Sequence, residues 1–101
     1  MEKMYRFHVG FGRHGDIDGV FVADEADVAA AVGITVNFYE PWGKHSSAEH
    51  TIAVGDFRIL TDDQDFIAKA REYGISYSGE NPIGLIADMR SDGRLPPEAA
   101  K

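Results

Sequence analysis

The chain of 101 residues contains no cysteine. This absence excludes a disulfide framework, a thiolate zinc site and a cysteine nucleophile, and it fits a reducing cytoplasm. No apolar run approaches the roughly 20 residues that a membrane-spanning helix needs, and the first residues lack the apolar core and cleavage site of a signal peptide. We therefore expect a cytoplasmic protein that contacts no membrane.

Fixed positive charge is scarce in the middle of the chain. Between His14 and Asp65 the lysines and arginines are limited to Lys44 and Arg58. Eleven carboxylates share that stretch: Asp16, Asp18, Asp24, Glu25, Asp27, Glu40, Glu49, Asp56, Asp62, Asp63 and Asp65. The whole chain has a formal net charge of −7, and a field of this sign repels nucleic acid and attracts basic surfaces. The predicted partner is therefore a basic protein surface, such as that of a nucleic-acid-binding host protein, and not nucleic acid itself.

The apolar pattern predicts one α+β domain over residues 1–93, followed by a flexible tail at 94–101. Tyr5, Phe7 and Val9 alternate with polar residues, as in a half-buried strand, and the apolar run at 19–23 predicts a second, antiparallel strand. Further extended stretches follow at 34–38, 50–54 and 57–60. These strands predict an antiparallel sheet of four to five members.

Two acidic segments mark the starts of the main predicted helices. Asp24 caps the first helix, which Gly33 ends, and residues 61–64 resemble a capping box before a second helix, which Gly74 ends. A proline at the first helical position predicts a short third helix after Asn81. The predicted order is β-β-α-β-β-α, with the two main helices on one face of the sheet.

The alternation and the helical stripes also predict the hydrophobic core. Its expected members are Tyr5, Phe7, Val9, Phe11, Phe21, Val28, Val32, Ile34, Val36, Phe38, Ile52, Val54, Phe57, Ile59, Phe66, Ile67 and Ala70.

Four carboxylates have no local role that the sequence identifies: Asp16, Asp18, Glu40 and Glu49. The clusters at helix starts are explained in part by capping and by the helix dipole, and capping alone is the alternative explanation for those clusters. The four unexplained acids are therefore the candidate partner-binding residues of an acidic patch.

The loop at 41–47 is a second candidate for recognition, through Trp42, Lys44 and His45. It holds the single tryptophan of the chain, and tryptophan is enriched at interface hot spots. The alternative is that Trp42 folds back onto the core. Catalysis from Lys44, His45 and Ser46 would need a correctly oriented base and nucleophile, which adjacent loop residues rarely provide.

No motif indicates a catalytic residue, a metal site or a cofactor. The glycine-rich stretch at 12–19 lacks the terminal Gly-Lys-Ser/Thr of a phosphate loop and the distal glutamate of a calcium loop, so it predicts a hairpin loop. His8, His14, His45 and His50 show no ligand spacing, although His8 and His50 could converge across strands.

Several motifs carry a resemblance: Val9-Gly10-Phe11-Gly12-Arg13, Gly19-Val20-Phe21-Val22-Ala23, Gly43-Lys44-His45-Ser46 and Asp62-Asp63-Gln64-Asp65-Phe66-Ile67. Through them the stretch from Tyr5 to Phe66 resembles small hypothetical proteins encoded by bacteriophages and prophages. In general form the chain is similar to phage anti-defence inhibitors such as anti-CRISPR proteins, which are short, acidic and free of cysteine. This second resemblance is one of kind, transfers no site residue and implies a location in the host cell cytoplasm.

Together these features favour a small acidic, non-enzymatic binding protein. We expect it to occlude a basic surface of a host nucleic-acid-processing, CRISPR-like defence complex, as a monomer or a homodimer. The alternative is a small-molecule or nucleotide-binding module, dimeric or not, with contacts from residues 10–19 and Lys44. A small enzyme is the third class, since burial tunes pKa values in ways that a sequence does not reveal.

Overall fold

The structure is a computed structural model that describes residues 1–38 and 48–93. Its strands are β1 (Glu2–Gly10), β2 (Asp16–Asp24), β3 (Thr35–Asn37), β4 (Glu49–Thr51), β5 (Phe57–Thr61) and β6 (Ser78–Gly79). Its helices are α1 (Glu25–Ala31), α2 (Gln64–Glu72) and α3 (Pro82–Ser91). Short 3-10 turns at Gly12–His14 and Val54–Asp56 link strands that are consecutive in the chain, β1 to β2 and β4 to β5.

Four antiparallel strands form the main sheet, in the order β5-β1-β2-β6. β1 and β2 pair over their whole length, from Glu2 opposite Asp24 to Gly10 opposite Asp16. β3 and β4 pair with each other in a second sheet of two strands. The predicted α+β class, with its antiparallel sheet of four strands, is thus confirmed.

One face of the main sheet carries the larger core. The register places Tyr5 opposite Phe21, so the odd-numbered side chains of β1 and β2 share this face. α1 covers it with Val28, α3 covers it with Ile86, and Phe38 packs against Phe7 with the ring centroids 5.7 Å apart. The buried members of this core are Tyr5, Phe7, Val9, Ile17, Phe21, Ala23, Val28, Ala31, Val36, Phe38, Ala48, Ile52 and Ile86.

The other face of the main sheet carries a smaller core beneath α2. Met4 packs there with Ile67 and Ala70, beside the partly buried Val20 and Val22. α2 therefore lies on the opposite face from α1 and α3, whereas the sequence analysis placed the main helices together. The reason is that β1 and β2 carry apolar side chains on both faces at this end of the hairpin, so each face needs cover.

Most of the predicted core is confirmed, with Phe11, Ile34 and Phe57 at its margin. Four predicted members are exposed instead: Val32, Val54, Ile59 and Phe66. Val32 follows the last turn of α1 and Val54 lies in a 3-10 turn, while Ile59 sits on an edge strand and Phe66 in the first turn of α2. Each lies where an element ends or the sheet stops, so no second layer covers it.

The helix caps follow the acidic segments of the sequence, with one shift. Asp24 caps α1 as predicted, because its Oδ1 accepts a hydrogen bond from the Ala26 N–H at 2.9 Å. α2 is capped by Asp63 and not by Thr61, since Asp63 Oδ1 accepts from the N–H groups of Asp65 and Phe66 at 3.0 and 3.2 Å. The capping box predicted at 61–64 is therefore wrong by two residues.

The predicted tail at 94–101 and the loop at 41–47 lie outside the described residues. Within the described ranges, none of the helices combines the length and the apolar character needed to cross a membrane.

Candidate protein-binding surface

Asp16 and Asp18, the first two candidate binding residues, stand at the start of β2. Asp16 Oδ2 lies 3.1 Å from His8 Nε2, and Asp18 Oδ1 lies 3.1 Å from Arg6 Nη2. The sequence analysis found no local role for these acids, and the structure supplies one in the form of cross-strand pairs. All four side chains are about half exposed, so the pairs contribute little to stability and the acids stay accessible.

The other candidate residues are scattered or lie outside the described chain. Glu49 is exposed on β4, in the second sheet, and so does not share a sheet with Asp16 and Asp18. Glu40, Trp42, Lys44 and His45 fall within residues 39–47, which are outside the described residues.

A different group of acids surrounds the start of α2. Asp63 is committed to the helix cap, whereas the side chains of Asp62 and Asp65 are exposed and form no salt bridge within the part of the chain that is described. The sequence analysis explained these residues by capping. The structure shows that one carboxylate does the capping and leaves its two neighbours available.

Exposed apolar side chains lie beside these acids. Leu60 is 44 % exposed and Phe66 is 51 % exposed, and both line an open groove of about 370 Å³. Met4 forms part of the groove wall, and the Asp63 cap stands at its margin. We call the set of Leu60, Phe66, Asp62, Asp63 and Asp65 the β5–α2 face. An exposed apolar patch that is rimmed by charged residues is typical of an interaction site.

A β-bulge explains why Leu60 is displayed. Met4 pairs with Thr61 and Tyr5 pairs with Ile59, so Leu60 has no partner opposite it on β1. A bulge re-aims the side chain of the extra residue and increases the local twist. The run 57–60 predicts a regular strand and contains no signal of this register shift.

β5 is also an edge strand of the main sheet, because its pairing within the described chain is with β1 alone. Ile59, on this strand, is 53 % exposed. An edge strand presents backbone N–H and C=O groups that can pair with another chain. Beside the β5–α2 face, the edge of β5 therefore offers a second type of contact, through backbone hydrogen bonds.

Two cations on the elements around this face, Arg71 and Lys3, are paired with carboxylates outside it. Arg71 of α2 donates to both carboxylate oxygens of Glu2, at 2.6 and 2.5 Å, and these hydrogen bonds lower the pKa of the Glu2 carboxyl. Lys3 Nζ lies 2.9 Å from Glu25 Oε2, and its hydrogen bond lowers the pKa of that carboxyl. The charge that the β5–α2 face presents is therefore negative.

The glycine-rich stretch, His8 and His50 make local contacts. Phe11 N–H donates to the Gly15 carbonyl at 2.9 Å, which closes the predicted hairpin loop. His50 Nε2 lies 2.6 Å from Asp56 Oδ2, and the same oxygen accepts the Ala53 N–H at 2.8 Å. His8 pairs with Asp16 instead of meeting His50, and the described residues include no group of three or more potential metal ligands.

Comparison of the chain with protein families found no match, and neither did comparison with curated protein sequences or with solved structures. The assignment of the surface therefore rests on the residues of this chain.

Proposed function

We propose that this protein is a non-enzymatic binding protein that docks onto a basic protein surface through the β5–α2 face. The observation that carries the proposal is an open groove lined by two half-exposed apolar side chains, Leu60 and Phe66, in the same chain segment as the exposed carboxylates of Asp62 and Asp65. An interface core needs apolar contacts, and its rim sets specificity through charge.

The partner class follows from charge. A surface that carries unpaired carboxylates attracts lysine and arginine, and the formal net charge of −7 strengthens that attraction at longer range. Protein grooves that bind nucleic acid are lined with such cations. This charge favours an inhibitor of phage type, which would occlude the nucleic-acid groove of a host defence complex.

The experiment is affinity capture of the tagged protein from a lysate of its native host, followed by titration calorimetry with the purified partner. The test variant is the double substitution Leu60→Ser with Phe66→Ser. Because apolar anchors at the centre of an interface carry most of its energy, we expect the variant to bind at least about tenfold more weakly.

A matched control is available on another part of the surface. Ile75 and Tyr77 are also exposed, at 67 % and 70 %, but do not line the β5–α2 groove. The double substitution Ile75→Ser with Tyr77→Ser should leave binding unchanged. Unaltered binding by the Leu60/Phe66 variant, or a captured partner whose contact surface is acidic, would contradict the proposal.

A further inference from the structure

Two arginines stand directly opposite each other on the face of the sheet that α2 partly covers. The register pairs Arg6 of β1 with Arg58 of β5. Like charges directly opposite each other across two strands are destabilising. The chain has 10 lysines and arginines against 17 carboxylates, yet two of these cations face each other. An anion bound between the two arginines would relieve their repulsion.

A groove lies at this pair. Its volume is about 350 Å³, and it is lined by Arg6, His8, Gly55, Asp56, Phe57 and Arg58. This volume falls within the range of about 300–1,000 Å³ that is typical of small-ligand sites. A Cβ atom at Gly55 would meet nothing within 4 Å, so the groove is open on that side.

The acid in the groove wall is committed to other groups. Asp56 Oδ2 accepts the Ala53 N–H at 2.8 Å and lies 2.6 Å from His50 Nε2. Among the described residues Asp56 forms no salt bridge with Arg6 or Arg58, so it does not occupy their donors.

Asp16 and Asp18 of β2 approach His8 and Arg6 of β1 from the side away from β5, since the strand order is β5-β1-β2. Arg6 Nη2 donates to Asp18 Oδ1 at 3.1 Å, and His8 Nε2 contacts Asp16 Oδ2. The contact with Asp18 positions the Arg6 side chain. Because a guanidinium has five N–H donors, Arg6 keeps further donors for a ligand. Arg58 forms no ion pair with any residue that the structure describes.

We propose that this groove is an anion-binding site that holds a phosphate group between the guanidiniums of Arg6 and Arg58, next to His8. Phosphate matches two arginines better than a monocarboxylate does, because its charge and its several acceptor oxygens allow bidentate hydrogen bonds to both forks. The site is distinct from the β5–α2 face, since Leu60 and Phe66 do not line it. The phosphate can be free inorganic phosphate or the monoester group of a small metabolite.

The test is titration of the ¹⁵N-labelled protein at constant ionic strength with three probes: inorganic phosphate, AMP as a phosphate monoester, and acetate. We expect saturable shifts of amide signals in β1 and β5 with the two phosphate probes and weaker shifts with acetate. Tighter binding of AMP than of inorganic phosphate would support a monoester as the ligand, and equal affinity would support free phosphate.

Arg58→Gln is the main variant, because Arg58 is exposed and its loss removes no described ion pair. We expect it to weaken phosphate binding by at least about tenfold, as the loss of a hydrogen bond to a charged group does. Arg13→Gln is the matched control, with an exposed arginine in the 3-10 turn and off the groove, and should bind as the wild type does. No saturable shift with phosphate up to about 10 mM, or equal loss in both variants, would overturn the proposal.

Discussion

Phe38 is 2 % exposed and packs on Phe7 at the centre of the larger core. Removing its ring leaves a cavity in this core, so Phe38→Ala should lower the free energy of unfolding by about 3–5 kcal/mol. Urea denaturation followed by circular dichroism measures this difference. A loss below about 1 kcal/mol would mean that the ring does not contribute to the core in solution.

Gly19 is a position where the absence of a side chain determines the packing. A Cβ atom there would lie 1.7 Å from the Glu80 carbonyl oxygen, because the backbone of Glu80, directly after β6, lies against Gly19. Gly19→Ala should therefore displace β6, destabilise the protein by about 1–3 kcal/mol and remove the amide-exchange protection of Glu80, whose N–H donates to the Asp18 carbonyl.

Gly55→Ala is the control for that substitution, since a Cβ at Gly55 meets nothing within 4 Å. Its free energy of unfolding should lie within about 0.5 kcal/mol of the wild-type value, as is usual for surface substitutions. Retained exchange protection at Glu80 in the Gly19 variant would show that β6 does not need the glycine.

At the scale of single residues, the sequence is informative about local roles and poor about exposure. Asp24 is identifiable as a cap because the acceptor and the donor are two residues apart. Phe66 is predicted to be buried because it adjoins Ile67 and Ala70 in a helical stripe, yet neighbouring helical positions point in directions about 100° apart, and Ile67 takes the buried one. Which of two adjacent apolar residues is covered depends on where the sheet lies.

At the scale of elements, the pattern identifies strands and helices but not the sheets they join. β3 and β4 are predicted as members of the main sheet, and they form their own because Thr35 to Asn37 pair with Thr51 to Glu49 across the loop. The placement of α2 is likewise hidden, since Met4, Val20 and Val22 lie among charged residues on the more polar face of the hairpin. The bulge that exposes Leu60, and with it the β5–α2 face, depends on the same long-range pairing.

The tie between α2 and β1 should respond to acid. Arg71 lowers the pKa of Glu2 in the folded state, so ionised Glu2 stabilises the fold above its unfolded-state pKa, and this contribution is lost as the pH falls through the folded-state value. Glu2→Gln should therefore lower the melting temperature at pH 7 and narrow its gap to the wild type in acid.

The effect at Glu2 is small, because both partners are partly exposed to solvent. Glu72→Gln is the control on the same helix, where Glu72 pairs with Lys69 over three residues at the surface. A melting temperature of the Glu2 variant that runs parallel to that of the wild type at all pH values would contradict a role for this ion pair in stability.

At the scale of the whole molecule, negative charge is divided between paired and unpaired carboxylates. Asp18 is partly neutralised by Arg6 and Asp16 is in hydrogen-bond contact with His8, whereas Asp62 and Asp65 have no salt bridge in the described chain. The unpaired acids Asp62 and Asp65 should dominate long-range attraction of a basic partner, although the sequence alone favoured Asp16, Asp18, Glu40 and Glu49. The division arises from strand register, which places Arg6 and His8 of β1 beside Asp18 and Asp16 of β2.

The last prediction compares these two sets. Asp62→Asn with Asp65→Asn should weaken partner binding and flatten its dependence on salt, because exposed charges are screened over about 8 Å at physiological ionic strength and the variant has fewer of them to screen. Asp16→Asn with Asp18→Asn, with the same nominal change of charge, should have a smaller effect on both quantities. The measurements are dissociation constants over a series of salt concentrations, with thermal melting to verify that both variants fold.

Wild-type binding that stays constant from low to high salt would argue against electrostatic docking. A larger loss in the Asp16/Asp18 variant would move the interface to the start of β2, where the sequence analysis placed part of it.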